Sequence, residues 1–211
     1  MPRRPFVAQS FAHVVLLAAA GMAAAGHAAE FHAGDYSFSD ELGGFRLLAA
    51  SGSGSVDDPV VIVEELPSVD PVILVIRRRT LPRDDLHPAQ SQLTLVKQVV
   101  NRSERIWAGF EVELQEILNK PSTYSDGLSF KQFAANPEDV GSDSFTLNDR
   151  RFEPYDRISF LGGSVDPGKT VRLRLTITDP TPVQEFYLLQ DPNLLSAELP
   201  GSGRSLAARA E

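Results

Sequence analysis

Thr170-Val171-Arg172-Leu173-Arg174-Leu175-Thr176-Ile177-Thr178 is the stretch that decides the fold. Val171, Leu173, Leu175 and Ile177 fall on one side of an extended chain; Arg172, Arg174 and Thr176 fall on the other. A period of two is what a strand with one buried face requires. Immediately before it stands Asp166-Pro167-Gly168-Lys169. Proline fixes φ at the second position of a turn, and glycine accepts the positive φ that a type II turn demands at the third. Upstream, Ile158 and Phe160 alternate with Ser159, so the whole segment reads as a β-hairpin closed by that turn.

Outward from this hairpin the chain stays strand-like. Val60-Val61-Ile62-Val63 and Val72-Ile73-Leu74-Val75-Ile76 are short apolar runs punctuated by Pro67 and Pro71, the pattern of strands covered on both faces. Leu93 to Val100 alternates with its odd positions apolar except Lys97, which predicts a bulge or an edge position. Asn101-Arg102-Ser103-Glu104 is a polar turn. In Trp107 to Leu118, Phe110, Val112 and Leu114 oppose Glu111, Glu113 and Gln115, again a strand period, although these residue types also suit a helix. Phe186 to Gln190 supplies a last strand. Residues 30–58 form an aromatic lead into Ser51-Gly52-Ser53-Gly54-Ser55, which reads as a flexible loop or turn. The stretch 119–150 is long and polar, with one helical turn expected near 128–135, and long loops of this kind often carry function. About eight short strands without alternating helices predict an all-β, antiparallel β-sandwich, with a closed barrel as the other architecture. The domain is expected to span 30–192, with 193–211 as a loose tail.

The N-terminus carries an address. Arg3 and Arg4 precede an apolar run from His13 to Ala20, and small residues (Ala23, Ala24, Ala25, Gly26, Ala28, Ala29) close it before Glu30. This is the charge, apolar core and small-residue cleavage site of a signal peptide, expected as a helix over residues 1–29 and cut after Ala28 or Ala29. Arg3-Arg4 followed by Phe6 also fits a twin-arginine signal, so both the general secretory and the twin-arginine routes stand open. The mature chain is then periplasmic or extracellular. Its apolar run is too short and too rich in Gly and Ala for a membrane span, which needs roughly 20 apolar residues; an uncleaved amphipathic anchor is the alternative. The chain has no Cys, which excludes a disulfide framework, a thiolate zinc site, a Cys nucleophile and an acylated N-terminus. Losing Arg3 and Arg4 from 20 basic residues leaves 18 against 28 acidic ones, a net charge of −10. That balance disfavours nucleic acid and anionic membrane surfaces as partners.

Candidate motifs do not converge on chemistry. Gly163 to Thr170 satisfies the phosphate-loop spacing G-x-x-x-x-G-K-[ST], but Pro167 lacks an N–H, Asp166 adds charge where phosphate would sit, and a strand follows instead of a helix. Gly52-Ser53-Gly54-Ser55-Val56-Asp57 fails the dinucleotide fingerprint at Asp57. After cleavage only His32 and His87 remain, neither with a partner at ligand spacing. Asp139, Asp143 and Asp149 share one loop and could collect calcium, without the spacing of an EF-hand. Glu111 and Glu113 lie on one strand face, as a glycosidase pair would. Trp107, Tyr124, Phe152 and Tyr155 stand outside clean alternation and could stack on sugar rings. No catalytic, cofactor-binding or metal residue is assigned.

Val100-Asn101, Trp107, Phe110 and Leu114, then Pro154-Tyr155-Asp156-Arg157-Ile158 with Phe160, Val165-Asp166-Pro167-Gly168 and Phe186-Tyr187-Leu188-Leu189-Gln190 with Pro192, form a succession over about residues 93–192 that resembles exported bacterial β-sandwich proteins with Ig-like or fibronectin-like modules. The resemblance implies a fold and brings no active site with it. Three functions follow as expectations. The first is a non-enzymatic binding or structural module of the cell envelope, contacting an envelope protein through an edge strand or the 119–150 loop. The second is a carbohydrate-binding module using Trp107 or Tyr155 on a polysaccharide. The third is a hydrolase using scattered carboxylates.

Overall fold

The computed structural model describes residues 28–79, 91–131, 139–150 and 154–192. The expected signal helix and C-terminal tail lie outside these residues, as do His87 and Phe152. Within them the chain is all β, without a helix, and forms thirteen strands: β1 (Glu30–Ala33), β2 (Tyr36–Ser39), β3 (Arg46–Ser51), β4 (Val60–Leu66), β5 (Val72–Arg78), β6 (Ser91–Asn101), β7 (Phe110–Gln115), β8 (Ser129–Phe130), β9 (Val140–Ser142), β10 (Phe145–Asp149), β11 (Arg157–Gly163), β12 (Thr170–Asp179) and β13 (Glu185–Asp191). The count exceeds the expected eight because the aromatic lead itself makes three strands and the 119–150 stretch makes three more. No helical turn appears over the described part of 128–135, where Ser129 and Phe130 extend as β8, and 107–118 resolves as strand β7.

One sheet has seven strands in the order β1-β2-β5-β13-β7-β11-β10; the other has six, β3-β4-β6-β12-β8 with β9 also on β12. All pairs are antiparallel except β4 with β6, which run parallel because β5 crosses to the other sheet between them. Apolar side chains from both sheets form one core, with Phe38, Leu74, Ile76, Phe110, Val112, Leu114 and Leu188 from the first meeting Ile62, Leu95, Val99, Val171, Leu173 and Leu175 from the second. Val171, Leu173, Leu175 and Ile177 are at most 2% exposed, as their alternation requires. The runs in β4 are covered on one face only: Val60, Ile62, Glu64 and Leu66 are buried, while Val61, Val63 and Glu65 are half-exposed.

The expected hairpin is overturned. The Asp166–Lys169 turn is present, with the Lys169 N–H donating to the Asp166 carbonyl at 3.0 Å and Gly168 at φ +76°. It does not, however, pair the strands on either side of it. β11 pairs with β7 and β10 in the seven-stranded sheet, whereas β12 pairs with β6 over ten residues, from Thr170 opposite Val100 to Asp179 opposite Ser91, in the other. The turn therefore carries the chain from one sheet to the other. Asn101 anchors this crossover. Its backbone N–H donates to the Lys169 carbonyl and its carbonyl accepts from the Gly168 N–H. Its fully buried side chain donates to the carbonyls of Arg105 (2.8 Å) and Val165 (2.9 Å) and accepts from the Ser103 N–H and hydroxyl. All four hydrogen-bonding positions of the amide are thus used, as a buried amide requires.

Lys97 is neither at an edge nor at a bulge. β6 lies inside its sheet, between β4 and β12, and Lys97 points into the core with no exposure. Its Nζ lies 2.9 Å from Oε1 of Glu64 on β4, equally buried, and Nε2 of Gln190 on β13 of the opposite sheet reaches Glu64 Oε2 at 3.4 Å. Burial pushes the Lys97 ammonium below its ordinary value, and Glu64 opposes that shift. The alternation of β6 is therefore intact; a charged residue simply occupies one core position.

The Ser-Gly run is also more ordered than its composition suggests. Ser53 and Gly54 N–H groups both donate to the Asp58 carbonyl, and the Gly54 carbonyl accepts from Thr94 on β6, pinning the loop to the sheet.

Candidate functional site

Two paired segments at one end of the seven-stranded sheet build a shallow concavity. Ser122 caps β7 by donating its N–H to the Leu114 carbonyl, and the Asp156 N–H donates to the Ser122 carbonyl, so the residues after Ser122 run antiparallel beside those before Asp156. Thr123 forms a bridge with Tyr155, and the Tyr124 N–H reaches the Pro154 carbonyl at 3.3 Å. This pairing sets Tyr124 and Tyr155 together on the surface, 38% and 45% exposed. They rim a depression of about 20 Å³ whose walls are Phe130, Arg150, Asp156, Arg157 and Ile158. That space holds about one water molecule, against roughly 300–1,000 Å³ for a pocket that engulfs a small molecule. Such a feature can seat an edge or face of a ligand, not enclose one.

Its polar wall is electrostatically loaded. Asp156 is 3% exposed, and burial raises its carboxyl from 3.8 to about 7, opposed by the hydroxyl of Ser129 (3.2 Å) and the backbone of Phe130. Arg150 donates Nη1 to the Lys131 carbonyl at 2.7 Å, while its buried Nη2 finds no partner among the described residues. Burial lowers the Arg150 guanidinium below its ordinary value.

The Glu111–Glu113 pair lies on the outer face of the same sheet, and one arginine holds both. Arg157 Nε sits 3.3 Å from Glu111 Oε1 and 2.9 Å from Glu113 Oε2, and Nη2 also contacts Glu113. Ser159 donates to Glu111 at 2.9 Å and Gln115 to Glu113 at 2.8 Å. Burial raises the Glu111 carboxyl, and Ser159 and Arg157 oppose it. Two carboxylates tied to a shared cation form an ion-pair cluster whose oxygens are already engaged. Farther along this face, Arg77 bridges Glu41 and Glu185 in the same manner, and the Tyr187 hydroxyl donates to Glu185.

The other candidates from the sequence separate. Trp107 is fully buried, packs on Phe110 at 5.7 Å between ring centres and donates Nε1 to Ser103, so it presents no surface to a sugar. The isolated apolar position of Trp107 was legible, but the direction of its ring is set by the bridge between Trp107 and Val165, which turns it inward. His32 is exposed on β1. Asp139 pairs with Lys131 at 3.1 Å, Asp143 accepts from the Arg172 N–H and the Ser144 hydroxyl, and Asp149 sits in register with Ser159 on β11. Among the described residues no three of His, Cys, Asp and Glu are grouped to hold a metal ion. Segment 163–170 holds the end of β11, the Asp166–Lys169 turn and the start of β12, so the phosphate-loop spacing has no helix to serve. Arg150, Asp156 and Arg157 escaped the sequence reading as site residues; their only signal was the Pro154-Tyr155-Asp156-Arg157 run within a packing motif.

A further surface is the edge strand β10, which belongs to the 119–150 stretch. Thr146, Leu147 and Asn148 are exposed, Leu147 by 62%. Among the described residues no helix is long and apolar enough to cross a membrane, which says nothing of strands.

No protein-family model, curated protein or solved structure matches this chain.

Proposed function

We propose that this chain is an exported sandwich module of Ig-like or fibronectin-like type that serves the cell envelope by binding a partner protein, without chemistry of its own. The observation that carries the reading is the character of β10. A sheet edge offers unpaired backbone groups to an incoming strand, and proteins blunt the edges they do not use with bulges, charges, proline or extreme shortness. β3 carries a register shift between Leu47 and Ala49. β8 and β9 are two and three residues long, and β1 is a four-residue strand with exposed Glu30 and His32. β10 is five residues of Phe-Thr-Leu-Asn-Asp, regular in register against β11 and without Lys or Pro, and its three central side chains face solvent. It is the edge best suited to strand addition. The engagement of Glu111 and Glu113 by Arg157 favours binding over two-carboxylate hydrolysis.

A photo-crosslinking residue placed at Leu147, in cells that export the chain, tests this reading. A discrete adduct at position 147, absent when the same group replaces exposed Glu104, is expected. Equal labelling at both positions refutes strand addition at β10. Recovery of the chain from the cytoplasm alone refutes export.

Tyr124 and Tyr155 support a second reading, a carbohydrate-binding module, because two exposed tyrosines on one depression with Arg150 and Asp156 combine stacking faces with hydrogen-bonding groups. Affinity electrophoresis against a panel of polysaccharides separates the two. Retardation abolished by Tyr155→Ala favours sugar; unchanged mobility in every gel rejects it.

A further inference from the structure

The fold treats the two possible signal cleavage points differently, although they stand one residue apart. Ala29 donates its N–H to Oδ1 of Asp40 at 2.6 Å, and the Asp40 N–H returns to the Ala29 carbonyl at 3.2 Å. The second carboxylate oxygen accepts the buried Leu47 N–H of β3 at 2.8 Å. Ala29 also packs against the core. Both carboxylate oxygens of Asp40 thus accept backbone N–H groups, at 2.6 Å from Ala29 and 2.8 Å from Leu47. Asp40 is only 8% exposed, yet no Lys or Arg among the described residues pairs with it. A nearly buried carboxylate without a counter-charge is costly, and the shorter of its two backbone contacts is to the nitrogen of Ala29.

We propose that the export signal is removed between Ala28 and Ala29, and that the new α-ammonium of Ala29 forms an ion pair with Asp40 that seats the mature N-terminus against β3. The inference rests on the export reading above. The step is a hydrolysis by a signal peptidase: water adds across the Ala28–Ala29 amide, the Ala28 carbonyl carbon leaves as the carboxylate of the signal, and the Ala29 nitrogen takes up the protons that make it an ammonium. Gly26 and Ala28, two small residues separated by one, meet the small-residue requirement of such a peptidase. Cutting one residue later would place His27 where Gly26 would sit, delete the donor to Asp40 and remove the core contact of Ala29. Cleavage thus supplies the charge that the folded protein is otherwise missing.

The test expresses the full chain with its own signal in a bacterium and reads the N-terminal residue of the protein recovered outside the cytoplasm. Ala29 is expected. An exported chain that begins at Glu30 or elsewhere overturns the inference and leaves export standing, whereas a chain kept uncut in the cytoplasm defeats the export reading itself. The ion pair is tested on the exported protein by acetylating its α-amine, which removes the charge and keeps the N–H. A lower urea midpoint after acetylation is expected, and the drop should vanish in Asp40→Asn. An unchanged midpoint in the acetylated wild type overturns the pairing, and this comparison needs no variant to fold.

Discussion

Replacing Lys97 by Met exposes the energetic logic of the core. The amine sits 2.9 Å from Glu64, and neither side chain has any exposure. Lys97 faces Leu173 on β12 and Ile62 on β4 in register, both buried, so water cannot reach a stranded partner without opening the sheet. In Lys97→Met the side-chain donor left to Glu64 among the described residues is Gln190, at 3.4 Å, too long to replace an ion pair. Removing one member of a buried pair costs about 3–5 kcal/mol, because the survivor must be buried charged or protonated. With a urea m-value of about 2 kcal/mol/M, the unfolding midpoint falls by about 1.5–2.5 M. The double replacement Lys97→Met with Glu64→Leu removes both desolvation penalties and fills the space with carbon. It returns to within about 1 kcal/mol of the parent, or exceeds it, as buried pairs replaced by apolar residues often do. Equilibrium urea unfolding followed by Trp107 fluorescence measures all forms, and the double-mutant cycle isolates the coupling. A single replacement that costs less than about 1 kcal/mol, or a double that costs as much as the single, refutes the view that the pair is held by mutual need in a dry core.

Asp156 predicts a pH dependence. Its folded carboxyl titrates at about 7 against 3.8 when unconstrained, so the native state binds more protons between those values, and stability falls as pH rises from about 4 to about 7. Asp156→Asn should remove that part of the slope in urea midpoints taken across this range, and an unaltered slope assigns it to another group. Two glycines differ in a way that thermal melts will show. A Cβ at Gly163 would sit 1.8 Å from the Ser144 carbonyl oxygen, so Gly163→Ala must push β10 off β11 and cost about 2–3 kcal/mol. At Gly168 the same Cβ meets nothing, and only its φ of +76° opposes alanine, at about 1 kcal/mol. Equal losses at the two positions would mean that contact at β10 is not what Gly163 protects.

Local pattern carried much of the secondary structure. The alternation of 170–178 and of 110–115, the Pro-Gly turn at 167–168 and the short apolar runs at 60–63 and 72–76 are all strand and turn signals set by side-chain period and by φ, properties of neighbours in sequence. Pairing was another matter. Backbone N–H and C=O groups are alike at every residue, so nothing in 158–160 or 170–178 says that the first joins β7 and the second β6. The ten-residue match between β12 and β6, and the hold of Asn101 on the crossover, decide it. Lys97 meets the same limit: the alternation puts a charge at a core position but does not show Glu64, which stands 33 positions away in the chain and next to it in space.

The site follows the same division. The sequence by itself determined that this is a cysteine-free, acidic, strand-rich chain with a signal-like start, because composition and period are local properties. Only tertiary structure turned Trp107 inward, laid Tyr124 beside Tyr155, gave Glu111 and Glu113 a common arginine and brought Asp40 to Ala29. Each of these depends on residues far apart in the chain being packed within a few ångströms, where burial makes an unmatched charge costly and so selects its partner.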